Sequence, residues 1–435
     1  MPKNKKKNSA NSERYSSKQH EQYSDDDSND NSSVYSYQSE SVTPVENGAE
    51  NDSANMENSI EKYEEKLLQA IENISDKSLQ TRINGFQTII DLLVHHYMPD
   101  FIDDRKITII DGIEKSIRRG KGSEQSWAAR LIPLLIIQLD GVDELNEILK
   151  TLKQVLLATG QDNSAQFDAR AKCCTALGLL YFLSADDINE ILVLMKNLEN
   201  IFAGSFLKGD KTPSSAGSEA GTLHSAALSA WSLLLTLIPS GDFVSLMNNQ
   251  NMLPSIENLL GMLQSPHLEV RMTTGEAIAL ILEAGRQNDE EFLYDYLPDL
   301  IESTKQLATD AHKYRAKRDR KVQRATFRDV MRYLEEDVSP EIIIKFGRET
   351  LLLDTWSIHH QYTALCNAIG SGMSIHLVEN NFLRDVLQLG AKLNDDIGHN
   401  MKLGKNEKKF LNAAAFKART ISRGKNRDKR SAVLN

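Results

Sequence analysis

The sequence predicts an all-α protein, a solenoid of stacked helix pairs followed by a small C-terminal module and a basic tail. Three observations carry that expectation. Apolar residues recur at one-face helical spacing almost without break from about residue 59 to 307. Glycines, prolines and short polar turns interrupt the pattern at intervals suited to ordinary helices. No run in that stretch reads as a strand.

The chain opens differently. Residues 1–57 of the 435 are mostly Ser, Asn, Asp, Glu and Lys. Too few large apolar side chains lie there to offset the chain entropy lost on folding, so this N-terminus is expected to be disordered. The helical body, 58–336, begins with Leu67, Leu68, Ile71 and Ile74, then Ile89, Ile90, Leu93 and Tyr97, each set on one face. Further apolar-periodic segments cover 131–139, 145–157, 171–183, 188–202, 223–238, 252–263, 270–282 and 292–307. Stops fall at Gly120 and Gly122, Gly141, Gly160, the turn 184–187, Pro239 with Gly241, and Pro266. Asp143 marks one start, and Ser265-Pro266 reads as a cap followed by a first-turn proline. A helix-pair spacing of about forty residues is that of armadillo or HEAT arrays, with the repeat count left open. Segment 223–238, around Trp231, is apolar on nearly every face and belongs in mid-stack. Residues 204–221 form the longest internal loop, expected to be a functional or disordered insertion.

After about Glu336 the pattern changes. Short apolar runs at 341–346 and 350–356 flank Gly347 and read as a hairpin or as helix. Two amphipathic helices follow, near 358–369 and 382–389, separated by Gly370, Ser371 and Gly372. These make a small module, 337–400, expected on the end of the solenoid. The basic tail is 401–435.

Charge is sharply segregated. The net formal charge is −10, of which residues 1–60 carry −5 (6 basic, 11 acidic). Residues 312–332 carry +7 (9 basic, 2 acidic) and 401–435 carry +9 (11 basic, 2 acidic), leaving −21 on the remainder. Two compact cationic segments on an acidic body are more than solubility requires.

Enzymatic chemistry is not expected. Gly120-Lys121-Gly122-Ser123 lacks the glycine spacing and preceding strand of a phosphate loop. His95-His96 and His359-His360 are adjacent pairs that diverge on a helix, with no acidic or Cys cluster at ligand spacing. His224 reads as a satisfied structural histidine. Cys173, Cys174 and Cys366 lie within apolar patterns and read as reduced, buried thiols. No catalytic residue, metal or cofactor is nominated. Nor is there a stretch long and apolar enough to span a bilayer, so a soluble intracellular protein is expected.

The cationic segments carry the functional candidates. In 312–332, Phe327, Val330, Met331 and Leu334 define an apolar face, beside which Arg320, Arg324, Arg328 and Arg332 follow at i+4. Such a helix docks by one face and presents guanidinium forks suited to phosphate oxygens. Candidate contacts are Arg315, Lys317, Arg318, Arg320, Lys321, Arg324 and Arg328, with pairing to the acidic body as the alternative. In the tail, Lys409, Phe416, Arg419 and Arg423 cluster on a helical projection, an aromatic among cations that suits base stacking. Lys417, Arg427, Lys429 and Arg430 extend it. Residues 425–430 and 3–7 also read as import signals, so both cytoplasm and nucleus are expected. No DNA-reading motif frames these elements, and RNA fits them better than duplex DNA.

Several runs resemble one family. The run LHSAALSAWSLLLT at 223–236 is similar to the central helix of the interferon-related developmental regulators, and EVRMTTGEAIA at 269–279 is similar to the same family. KYRAKRDRKVQRATFRDV at 313–330 is the most specific internal match. GSGM at 370–373 with NFLRD at 381–385 resembles the family's C-terminal module, and NAAAFKAR at 412–419 with RDKR at 427–430 its basic tail. The resemblance implies an armadillo-type fold without catalysis or a small-molecule substrate. It implies ribosome binding that occupies tRNA and mRNA sites and keeps ribosomes silent, or else transcriptional regulation through histone deacetylase corepressors held on the solenoid surface. The cationic elements favour the ribosome.

Overall fold

The apolar stripes fold into helices that pair in chain order. The structure, a computed structural model, describes residues 52–139, 146–184, 187–248, 254–309 and 316–392. All of them lie in the larger of the two units into which the chain divides, Val42–Asn435. Helix α1 (Asp52–Asn73) packs on α2 (Leu79–His95), and a short α3 (Pro99–Asp103) leads to α4 (Lys106–Arg119) and α5 (Ser123–Gln138). Then α6 (Asn146–Gln161) pairs with α7 (Phe167–Ser184), and α8 (Ile188–Phe202) with α9 (Ser218–Leu235). After α10 (Ser240–Asn248), α11 (Ile256–Met262) pairs with α12 (Leu268–Arg286), and α13 (Leu297–Thr309) with α14 (Lys317–Glu336). The described residues thus hold six stacked pairs.

The second helix of each pair touches the second helix of the next, so α2, α5, α7, α9, α12 and α14 form a continuous row. Trp231 of α9 is fully buried there, as its all-round apolarity predicted.

A recurrent device closes each pair. The last carbonyls of a helix lack intrahelical donors. Near the start of the second helix a polar side chain supplies one, to such a carbonyl or to a carbonyl of the turn that follows it. Arg82 donates to Asp76 O and Lys77 O (both 3.0 Å), Gln125 to Ile117 O (2.9 Å) and Arg170 to Gly160 O (3.0 Å). Arg271 donates to Ser265 O (2.7 Å) and Gln323 to Leu307 O (3.1 Å). In the fourth pair His224 Nδ1 meets the Ser205 hydroxyl at 2.7 Å, the structural role expected of it.

Several boundaries differ from the sequence reading. Helix α1 starts at Asp52, inside the segment expected to be disordered, because Ala54, Met56 and Glu57 favour helix. Helix α10 begins between Pro239 and Gly241, which had read as a stop. Ser265 does not cap α12, whose first residue is Leu268. Its hydroxyl accepts from His267 N and its carbonyl is held by Arg271, which delays the helix. The 120–123 glycine turn joins α4 to α5, and Gly122 (φ 55°) lies where a Cβ would strike Gln166. The start proposed at Asp143 lies outside the described residues. Loop 204–221 is tied down: Lys208 N donates to Thr212 O, Ala216 O accepts from His267, Leu207 packs on Gly261, and 218–221 belong to α9.

The runs flanking Gly347 form an antiparallel hairpin of β1 (Ile342–Phe346) and β2 (Glu349–Leu353). Helix α15 (Trp356–Ile369) follows, then a single 3-10 turn at Gly370–Gly372, α16 (Met373–Glu379) and α17 (Asn381–Val386). This module does not sit on the end of the solenoid. It runs back along the row as a strap. Glu283 of α12 accepts from the Trp356 and Ser357 amides (2.7 and 2.8 Å), capping α15. His360 donates to Ser229 O of α9, Asn380 to Ile137 O of α5, and His376 to Leu93 O of α2. Trp356, Leu365 and Ile369 join the same apolar core as the pairs, and placement at one end would have left them uncovered.

Candidate nucleic-acid interface

Helix α14 carries the internal cationic segment. Phe327, Val330, Tyr333 and Leu334 are buried, and the Phe327 ring fills the space over Gly275 of α12. Met331, read from the sequence as part of that face, is only half-buried; Tyr333 takes the inward position, edge-on to Trp356 with ring centroids 6.0 Å apart. The seam therefore lies one position round the helix from the simple i, i+3, i+4, i+7 stripe.

A buried polar link fixes the rotation of the helix. Arg271 of α12 donates to Gln323 Oε1 at 2.7 Å while Gln323 donates to Leu307 O of α13. At the other end Asp337 turns left-handed (φ 57°), returns its N–H to Tyr333 O and pairs with Arg286 at 2.9 Å. These contacts leave the cationic side outward.

Of the residues nominated there, Lys317, Arg318, Lys321 and Arg328 are exposed, and Arg320 and Arg324 are half-buried. Arg324 Nε folds back toward Arg320 O at 3.4 Å, and Arg332 pairs with Glu336 at 3.3 Å. The arginine row is thus graded rather than uniformly open, half-buried at its start and exposed at its end. Burial pushes the Asp329 carboxyl up, against the opposing pull of Arg332 and Arg328. Lys317, Arg318 and Arg320 stand in the first turn of α14, where the helix dipole is already positive. An arriving anion relieves that repulsion. Arg315 lies outside the described residues, as do Lys409, Phe416, Lys417, Arg419, Arg423, Arg427, Lys429 and Arg430.

Between α13 and α14 runs an open groove of about 510 Å³ lined by Lys305, Ala308, Thr309, Arg324, Arg328, Met331 and Glu335. Sequence reasoning missed Lys305 and Glu335. Each looked like an ordinary solvated charge; Glu335 follows Arg328 at i+7 on the same helix, and only the pairing of α13 with α14 sets Lys305 opposite the arginines.

The histidine pairs diverge as expected: His359 meets Pro340 O and His360 meets Ser229 O, while His96 stacks on Tyr63. Among the described residues no three His, Cys, Asp or Glu gather to hold a metal ion, and no helix is long and apolar enough to cross a membrane. Cys173, Cys174 and Cys366 are buried free thiols.

Residues 31–335 match the family described as interferon-related developmental regulator, and 380–431 match the interferon-related protein conserved region. The chain belongs to the interferon-related developmental regulator family. It is 37% identical over 376 residues to interferon-related developmental regulator 2 of Mus musculus, covering 86% of this chain and 84% of that protein. It is 38% identical over 379 residues to interferon-related developmental regulator 1 of Homo sapiens, covering 87% and 83%. Both relatives are named as regulators, not as enzymes. The first match ends at 335, next to the last residue of α14, and the second spans α17 and the tail. The family regions therefore contain both cationic segments.

Proposed function

We propose that this regulator binds ribosomal RNA through α14 and the basic tail and holds ribosomes in a translationally inactive state, in cytoplasm and nucleus. The observation that supports the reading best is α14 itself. Its cations are concentrated toward the helix N-terminus, where they disfavour the isolated helix, yet buried anchors on the opposite face hold them in place. A helix so arranged gains from meeting phosphate. The armadillo or HEAT character of the pairs fits a scaffold that presents such a helix and does no chemistry.

Sucrose-gradient fractionation of the tagged protein tests the reading. Comigration with ribosomal particles, monosomes above polysomes, and release by RNase are the expected outcomes. Recovery only in the top fractions at low salt would overturn it. Capture with histone deacetylase complexes in its place would favour transcriptional regulation through proteins on the solenoid surface.

A further inference from the structure

We propose that the groove between α13 and α14 is a nucleotide site selective for an unpaired guanine of single-stranded RNA. The proposal rests on the RNA-binding reading and assigns that function a base preference. The groove, about 510 Å³, falls within the range of small-ligand clefts. Its lining is polarised along α14. Arg324 and Arg328 stand one turn apart near the middle of the helix, with Lys305 on the facing wall. Glu335 stands about 10 Å further along the axis from Arg328, at 1.5 Å per residue. Between them on the same helix lies Met331, which is half-buried, whereas the buried Ala308 sits at the cationic end, next to Leu307, whose carbonyl meets Gln323.

Each part selects something. Three cations at one end take a phosphate, and an arginine plane also stacks on a base. The polarisable Met331 thioether gives an apolar floor for a ring face. A carboxylate at the far end excludes a second phosphate. It also offers two acceptor oxygens and no donor when ionised. Among the four RNA bases, guanine alone presents two adjacent donors, N1–H and the exocyclic N2 amine, on its pairing edge. Adenine, cytosine and uracil each set an acceptor beside their donor, and that acceptor would face the second oxygen. The distance from the cations to Glu335 is of the order of a nucleotide's reach from phosphate to base edge. A peptide carboxylate would engage the cations equally but leave Glu335 without a donor.

The test uses the full chain and fluorescence anisotropy with labelled seven-nucleotide RNAs, uridines around one central guanosine, adenosine, cytidine or uridine. The guanosine heptamer should bind about tenfold more tightly than the others, the order expected of one bidentate base contact. Glu335→Gln should reduce that preference to about twofold or less, since an amide offers only one acceptor. Lys305→Ala and Arg324→Ala should weaken all four heptamers alike. Glu335 is exposed, so its replacement leaves packing intact, and an unchanged far-ultraviolet spectrum checks this. Equal binding of the four RNAs, or a guanosine preference that survives Glu335→Gln, overturns the guanine site and leaves the RNA reading standing. No binding of any heptamer at low salt overturns both.

Discussion

Arg384 is the most consequential side chain in the strap, and replacing it measures how the module is held. Its guanidinium is 1% exposed and grips Glu349 of β2 with two parallel bonds of 3.0 and 2.8 Å. It also donates to Leu377 O, Gly390 O and Ala391 O at 2.9–3.1 Å. One residue therefore ties the hairpin, α16 and the chain beyond α17 together. Arg384→Ala strands a mostly buried carboxylate and leaves three carbonyls short of a donor. Breaking such a pair from one side costs about 3–5 kcal/mol. If the module opens as a local unit, its protected amides should exchange about 10² to 4 × 10³ times faster, at 1.4 kcal/mol per tenfold. Hydrogen–deuterium exchange read on peptides covering 342–353 makes the measurement, with α8, on the outer side of the array, as the unchanged control. Replacing both partners, Arg384→Met with Glu349→Leu, should restore much of the protection, because no charge is left stranded. Acceleration below tenfold in Arg384→Ala would refute the claim that this pair holds the strap.

The remaining expectations test other links. A Cβ at Gly372 would overlap the Val94 carbonyl of α2, so Gly372→Ala should loosen the strap by about 2 kcal/mol and speed proteolysis within 373–386. His224 is driven down to about 4, first by burial and then by Arg170 and His267, so the folded state binds fewer protons than the unfolded chain. Its contribution is complete above about pH 6.5 and is lost as pH falls toward 4, up to about 3 kcal/mol; His224→Gln should flatten the urea midpoint over that window. Arg320, Arg324 and Arg328 replaced by Ala should flatten the salt dependence of RNA binding by about 2 in log–log slope, and Arg419, Arg423, Arg427 and Arg430 by up to about 3. Phe416→Ala should cost about 1–3 kcal/mol with the slope unchanged. Lower stability with an unaltered slope in the α14 variant would mean that its arginines pair with the acidic body.

Local signals were legible, long-range ones were not. The segment 188–202 was read with the bounds of α8, since its apolar stripe and flanking turn are both local. Helix α4 escaped because Ile109, Ile110, Ile113 and Ile117 form a stripe without a start signal beyond Arg105. The buried arginines were present in the sequence as charges inside apolar helices. Their purpose depended on which carbonyl each would meet, ten residues away for Arg170 and six for Arg271. The strap was misplaced for the same reason on a larger scale. His360 and Ser229 are 131 residues apart, and His376 and Leu93 are 283 apart. No periodicity within a helix encodes such partners. For the interface, the arginine row was readable at i+4, whereas the groove needed α13 beside it.

The energetics of α14 explain why a stable fold tolerates a cationic helix start. Three like charges in the first turn of a helix cost about 0.3–1 kcal/mol each against the dipole, with Asp319 offsetting part. On the opposite side, burial of Phe327, Val330, Tyr333 and Leu334 contributes about 1.5–3 kcal/mol per side chain. Packing exceeds the electrostatic penalty several-fold, so the helix persists with its cations outward. Because Gln323 and Asp337 also pin its rotation and its end, the backbone that carries those cations is fixed before any partner arrives. Binding then costs the rotamer freedom of the side chains but not that of the backbone, so the phosphate contacts are opposed by less entropy than those of a chain that must fold as it binds.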